Sequence, residues 1–211
     1  MRRWLCVPMM ALCLLLGGCG DGEGDAPGQS AREPYQAMAS CSMTAEVTCD
    51  YGEQVMEFTL SCAYVPEEES VVEILAPETV AGVKARVRGD SLELEYEDVC
   101  LPAGTLSSQE ISAADCLVRM MNALRDGWLL DQNREKWGDT DCLRLQLDQT
   151  GKEGGKILTT LWLRQEDGTP VHGELSVEDQ IILQAEFTAF EFGDILKDGT
   201  ESAGPAEEAA G

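Results

Sequence analysis

The chain is short of positive charge. Its 211 residues include 15 Lys+Arg and a single His against 39 Asp+Glu, a formal net charge of −24. Without a basic face to neutralise phosphates, the composition argues against a nucleic-acid binder. Charge alone will not hold such a chain on an anionic membrane surface either. Long apolar runs are also missing: the run from Trp4 to Leu16 is about a dozen residues, where a spanning helix takes roughly 20. There is no C-x-x-C pair and His172 is the only histidine, which argues against a zinc site. Disorder is equally poorly supported, because 44% of residues are hydrophobic and their spacing is periodic over long stretches. An acidic globular domain with a partner that is not a polyanion remains.

The N-terminus reads as an address. Arg2 and Arg3 precede the apolar run, which ends in Leu14-Leu15-Leu16-Gly17-Gly18-Cys19. This end resembles the bacterial lipobox, with small residues before a cysteine. The resemblance implies cleavage before Cys19, diacylation of its sulfur, and anchoring on the extracytoplasmic face of the cell membrane, where two or three acyl chains hold firmly. Removing residues 1–18 takes two basic residues and no acid, so 13 basic face 39 acidic residues, a net charge of −26. Residues 19–37 then comprise the lipidated cysteine and an acidic linker rich in Gly, Asp and Pro, expected to be a flexible tether. A domain follows over 38–195, and 196–211 is expected to be a disordered acidic tail.

Within the domain, period-2 alternation points to antiparallel strands. Met43, Ala45, Val47 and Cys49 alternate with polar residues, and so do Met56, Phe58, Leu60 and Cys62. Folding these runs as a hairpin with Asp50 opposite Glu53 places Val47 against Met56, Ala45 against Phe58, Met43 against Leu60 and Cys41 against Cys62. A second hairpin turns on Gly89-Asp90, with Val87 facing Leu92, Ala85 facing Leu94, Val83 facing Tyr96, Arg86 facing Glu93 and Lys84 facing Glu95. A helix is predicted from Gln109 to Gly127, capped by Ser107 or Ser108, with Ile111, Ala114, Val118, Met121 and Leu124 as its apolar stripe. Strands follow at Leu143–Leu147, Ile157–Leu163, Val171–Val177 and Ile181–Phe187. A turn at Asp167 aligns Leu161 with Leu175 and Thr159 with Val177. The sum is an α+β chain: an antiparallel meander of six or more strands with one main helix, whose apolar face must be covered by curling or by something else.

This order of pieces resembles the LolA/LolB-like superfamily of lipoprotein carriers and lipid-binding lipoproteins, over about residues 41–192. The likeness rests on the first hairpin, on Val72-Glu73-Ile74-Leu75-Ala76-Pro77-Glu78 with Gly82-Val83-Lys84-Ala85, and on Leu92-Glu93-Leu94-Glu95-Tyr96. It also rests on Leu161-Trp162-Leu163, Gly168-Thr169-Pro170-Val171 and Glu186-Phe187-Thr188-Ala189-Phe190. It implies an open half-barrel whose concave face, lidded by helices, holds acyl chains or another apolar group. The matching concave positions are among Met43, Val47, Met56, Phe58, Leu60, Leu92 and Leu94, each of which, taken singly, is better explained as core. The soluble carrier of that superfamily has no anchor, so a tethered member fits a receptor or local binder better than a long-range shuttle.

Of the nine cysteines, Cys6 and Cys13 lie in the signal and Cys19 is the lipid site. Cys41, Cys49, Cys62, Cys100, Cys116 and Cys142 remain. In an exported domain they suggest disulfides with the pairing left open. The hairpin register favours Cys41–Cys62, Cys100 and Cys116 flank the helix start, and in an anoxic compartment all six stay thiols. His172 sits on the polar alternation of its strand and reads as an exposed surface histidine with no nucleophile beside it. Asp139-Thr140-Asp141 lacks the rest of a calcium loop. Gly151 to Lys156 is a turn, not a phosphate loop. Arg88-Gly89-Asp90-Ser91 is explained as a hairpin turn. The expectation is therefore a monomeric, non-catalytic, lipid-anchored protein without cofactor, binding a lipid or acyl chain. The alternatives are an adaptor of the same fold that binds a protein through its acidic surface, and a hydrolase of envelope components.

Overall fold

The computed structural model describes residues 27–193 apart from 53, 98, 106–110 and 151–154. Cys19, the signal, the tail, the Ser107/Ser108 cap and most of the Gly151–Gly155 turn lie outside the described residues. In chain order the elements are α1 (Pro27–Ala37), β1 (Cys41–Asp50), β2 (Val55–Tyr64), β3 (Glu69–Ala76), β4 (Lys84–Arg88), β5 (Ser91–Tyr96) and β6 (Val99–Thr105). Then come α2 (Cys116–Asp126), β7 (Trp128–Trp137), β8 (Thr140–Asp148), β9 (Ile157–Arg164), β10 (Pro170–Val177) and β11 (Gln180–Phe192).

The architecture is the α+β open half-barrel expected from the sequence, a single antiparallel sheet of 11 strands in the order β6-β5-β4-β3-β2-β1-β11-β10-β9-β8-β7. The chain steps outward from β1 to the β6 edge, returns through α2 to the opposite edge at β7, and steps inward until β11 pairs with β1. A connection between two sheet edges must cross one face. The apolar stripe of α2 fixes which: Leu117, Val118, Met120, Met121 and Leu124 are buried against the face lined by Met43, Ala45, Leu60, Leu145, Leu161 and Leu175. A sheet this wide twists and curls around the helix rather than staying flat.

Four local expectations are corrected. The first hairpin is two residues out of the predicted register: Asp50 pairs with Val55, Val47 with Phe58, Ala45 with Leu60 and Met43 with Cys62. A slip of two leaves every side chain on its own face, so alternation cannot detect it. The turn decides, with Gly52 at φ 83°, its N–H donating to Asp50 Oδ1 at 2.8 Å, and Tyr51 N donating to Gln54 O at 3.0 Å. The β9–β10 pair differs in the same way, with Leu161 opposite Gly173 and Thr159 opposite Leu175. The β4–β5 hairpin has the predicted register, Ala85 opposite Leu94 and Val87 opposite Leu92.

The helix begins at Cys116 rather than Gln109. Ile111 and Ala113 are buried, but in a turn closed by Asp115 N and Cys116 N on Ser112 O. Asp115 Oδ1 accepts from Ser112 N at 2.9 Å, which ends the helix on that side.

Residues 27–37 of the presumed tether form α1 instead. Gly28, Arg32 and Tyr35 are its buried face, a helical spacing disguised because two of the three are not apolar. Tyr35 packs edge-on against Phe192 at 5.1 Å and donates its hydroxyl to Gly168 O. These tertiary contacts override a composition that favours coil.

Candidate functional site

The two ends of the sheet are covered unequally. Over β7–β11, α1 and α2 together close the concave face. On the other side α2 reaches only part of β2 and β3. Buried apolar residues run along the end of this face nearest the helix: Tyr64, Cys62 and Leu60 on β2, Val72 on β3, Ala85 and Val87 on β4. Beyond them burial falls away, with Phe58, Ile74, Leu92 and Leu94 half-buried and Met56, Tyr96 and Leu101 exposed at 38%, 52% and 60%.

Register places these side chains on one surface. Leu94 pairs with Ala85 and with Leu101, Tyr96 with Val99, Leu92 with Val87, and Met56 with Cys49. Partners directly opposite in an antiparallel ladder share a face, so Leu92, Leu94, Tyr96, Val99 and Leu101 form a continuous apolar strip. The other face of the same strands is charged. Arg86 bonds Glu95 Oε2 at 2.6 Å and Glu69 Oε1 at 2.7 Å, and Arg88 approaches Glu69 at 3.3 Å. The Arg86 hydrogen bond holds the Glu95 carboxyl below its ordinary range. The exposure of the strip is therefore not that of a strand whose polar side faces water.

The seven concave positions named from the sequence all point to this face, but they divide in two. Met43, Val47 and Leu60 are 3%, 1% and 0% exposed and belong to the packed core. Met56, Phe58, Leu92 and Leu94 border the open region, together with Tyr96, Val99 and Leu101. The last two were not singled out, because Val99–Thr105 contains Pro102 and Gly104 and shows no clean alternation.

At the end of the strip nearest α2 lies a cavity of about 290 Å³ between that helix and the β4–β5 turn. Val87 and Val118 line its inner part, and Tyr64, Asn122 and Arg125 stand beside them. Tyr64 donates its hydroxyl to Asn122 Oδ1 at 2.7 Å. Arg125 reaches Glu67 Oε1 only at 3.7 Å, and its Nε is buried without a hydrogen-bond partner. A larger groove of about 490 Å³ lies on the convex face, where Glu46, Thr48, Glu57, Thr59, Gln184 and Glu186 make polar walls unsuited to an acyl chain.

Cys41, Cys49, Cys62, Cys100, Cys116 and Cys142 are free thiols. The register that suggested Cys41–Cys62 is displaced, so Cys41 faces Tyr64 and Cys62 faces Met43. Burial pushes the Cys41 thiol up to about 12 and moves Cys62 and Cys116 upward as well. Cys100 alone is exposed, with its thiol 3.6 Å from Glu93 Oε2.

His172 is not a surface histidine: it is 1% exposed. Trp137 reaches over from the β7 edge and stacks on it at 3.8 Å, while Trp162 meets it edge-on at 5.0 Å. Its Nδ1 lies 2.8 Å from Glu186 Oε1, outside hydrogen-bond geometry. Alternation put His172 on the polar face correctly; only the tertiary cover of Trp137 buries it.

No protein-family model matches the chain, and no curated protein matches it. Its fold is similar to solved structures. A LolA superfamily protein from Nitrosomonas europaea aligns with TM-score 0.47 and 15% identity, covering 79% of this chain and 94% of that one. A DUF1329 family protein from Desulfovibrio piger aligns with TM-score 0.48 and 11% identity, covering 84% and 96%. A putative outer membrane lipoprotein-sorting protein domain from Vibrio parahaemolyticus aligns with TM-score 0.45 and 11% identity, covering 83% and 91%.

Proposed function

We propose that this chain is a non-catalytic binding protein, held by lipid at Cys19 on the extracytoplasmic face of a membrane, that lays an acyl chain along the open half of its concave sheet. One observation carries the reading: Leu92, Leu94, Tyr96, Val99 and Leu101 continue the core surface beyond the reach of α2. Leaving them in water forfeits about 25 cal/mol for each Å² of apolar area. From Leu92 to Tyr96 the strip is about 14 Å long at roughly 3.4 Å per residue. Each acyl methylene buried there gains about 0.8 kcal/mol relative to water, which a membrane matches, so the site needs only to equal the bilayer and then release. Met56 at its border suits an irregular chain, since a thioether adapts its shape.

The test is native mass spectrometry and lipid extraction of protein released from membranes, alongside the Leu94→Glu variant. Co-purifying acyl lipid that is lost in the variant supports the reading. Wild-type protein that is lipid-free and fails to take up a fluorescent fatty acid sinks it. Metabolic acyl labelling lost in Cys19→Ala tests the anchor separately.

A further inference from the structure

We propose that the cavity between α2 and the β4–β5 turn receives the polar end of the same ligand, and that this end is zwitterionic, a phosphate bearing an ammonium. The proposal rests on the apolar-strip reading above and adds the chemistry of the head group.

Continuity comes first. Val87 lines the cavity and pairs with Leu92, the first residue of the strip. A molecule with its tail along β5 therefore has its other end at the cavity mouth. At about 290 Å³ the cavity lies at the lower limit for a drug-sized ligand, so it suits a head group and not a whole lipid.

Charge then selects the head. Arg125 is the one cation of the lining, its side chain 14% exposed. Its guanidinium already meets the Tyr64 hydroxyl and lies near Glu67, but its Nε has no partner, a donor that an acceptor oxygen would satisfy. Its backbone is held in place from behind, because Arg32 Nη2 and Gln36 Nε2 donate to Arg125 O at 2.9 and 3.1 Å. Around it the rim is acidic: Glu67, Glu68, Asp90 and Asp126 are all exposed and border the same cavity. One guanidinium among four carboxylates repels a purely anionic head. A simple amine would satisfy the rim and leave the buried Arg125 Nε unanswered. A head with both charges answers both, its phosphate at Arg125 and its ammonium among the carboxylates. The neutral lining, Tyr64 and Asn122, offers hydrogen bonds to either part.

The experiment compares four probes on the soluble form of the protein that begins after Cys19: lysophosphatidylethanolamine, lysophosphatidylglycerol and the free fatty acid of the same acyl length, and phosphoethanolamine without a chain. The expected result is that the ethanolamine lipid binds at least tenfold more tightly than the glycerol lipid. Arg125→Gln and Glu68→Gln should each erode that preference. Glu68 is exposed, so its variant keeps the test sound if Arg125→Gln fails to fold. Equal binding of the two lysolipids, or a preference untouched by both variants, overturns the head-group proposal and leaves the strip intact. Phosphoethanolamine binding as tightly as its lipid overturns the lipid source. If even the fatty acid fails to bind, the strip reading falls and this proposal with it.

Discussion

Arg32 donates from Nε to the carbonyl of Leu124 at 2.6 Å, and its Nη2 bonds Arg125 O and Gly127 O at 2.9 and 2.8 Å. A guanidinium from α1 thus satisfies the last carbonyls of α2, which have no partners within their own helix and carry its negative end. Burial pulls the Arg32 guanidinium below its ordinary range, and the helix end offsets part of that cost. Arg32→Met keeps the apolar stem and removes the charge-assisted bonds, each worth about 1.5–3 kcal/mol, but it also relieves the cost of burying the charge, so the net loss is well below their sum. The expected loss is about 2–4 kcal/mol in urea unfolding, with faster proteolysis between α1 and β1. A variant within about 0.5 kcal/mol of wild type would mean that α1 does not depend on this clamp.

Gly173 sets how closely α2 approaches the sheet. A Cβ there would lie 2.8 Å from Met120 Sδ and 3.1 Å from Leu161 Cδ2. Gly173→Ala is expected to destabilise by about 1–3 kcal/mol through overpacking. Met120→Ala alone opens a cavity and costs about 2–5 kcal/mol. Combined, the two should cost at least about 0.5 kcal/mol less than their sum, because each relieves the other. Strict additivity in a double-mutant cycle would show that they do not meet.

Faces were legible in the sequence, and distances along the strands were not. Period-2 alternation placed Met43, Val47, Phe58, Leu60, Leu92 and Leu94 on one side, because a pleated strand permits only two sides. It left the first hairpin two residues out of register, since loop geometry and not polarity chooses between registers of the same parity. The Gly89-Asp90 turn was readable because so short a loop admits one register. Residues 27–37 hid their helix behind Gly28 and Arg32, whose burial depends on partners about a hundred residues away. The open half of the concave face was legible as an apolar surface in want of cover. How far α2 extends over it depended on where the helix starts, which is set by the Ser112–Asp115 turn.

The thiols differ sharply in access. Cys41, Cys49, Cys62, Cys116 and Cys142 are buried and Cys100 is exposed. In soluble protein lacking residues 1–19, one thiol per chain should react with a disulfide reagent under native conditions and six in denaturant. Desolvation and, after it, the neighbouring Glu93 raise the Cys100 thiol's pKa, so the native reaction should be slower than that of a free cysteine. Cys100→Ser should abolish it. Native reaction of two or more thiols would contradict the packing of β1 and β2 against α2.

Burial of the other thiols makes stability depend on alkaline pH. An unfolded cysteine loses its proton near pH 8.5, whereas the folded Cys41 keeps it to about 12 and Cys62 and Cys116 are shifted up as well. Above about pH 8.5 the unfolded chain therefore binds fewer protons than the folded one, and unfolding becomes easier as pH rises. Below that pH all these thiols are protonated in both states and add no slope. Each contributes about 1.4 kcal/mol per pH unit while the difference persists. Urea titrations between pH 9 and about 10 sample the thiols before the tyrosines, whose ordinary value is about 10, take part. Cys62→Ala should lower stability at pH 7 through lost packing and reduce the slope between pH 9 and about 10 by about 1.4 kcal/mol per unit. An unchanged slope would mean that Cys62 ionises in the folded protein, and hence that water reaches the core between β2 and α2.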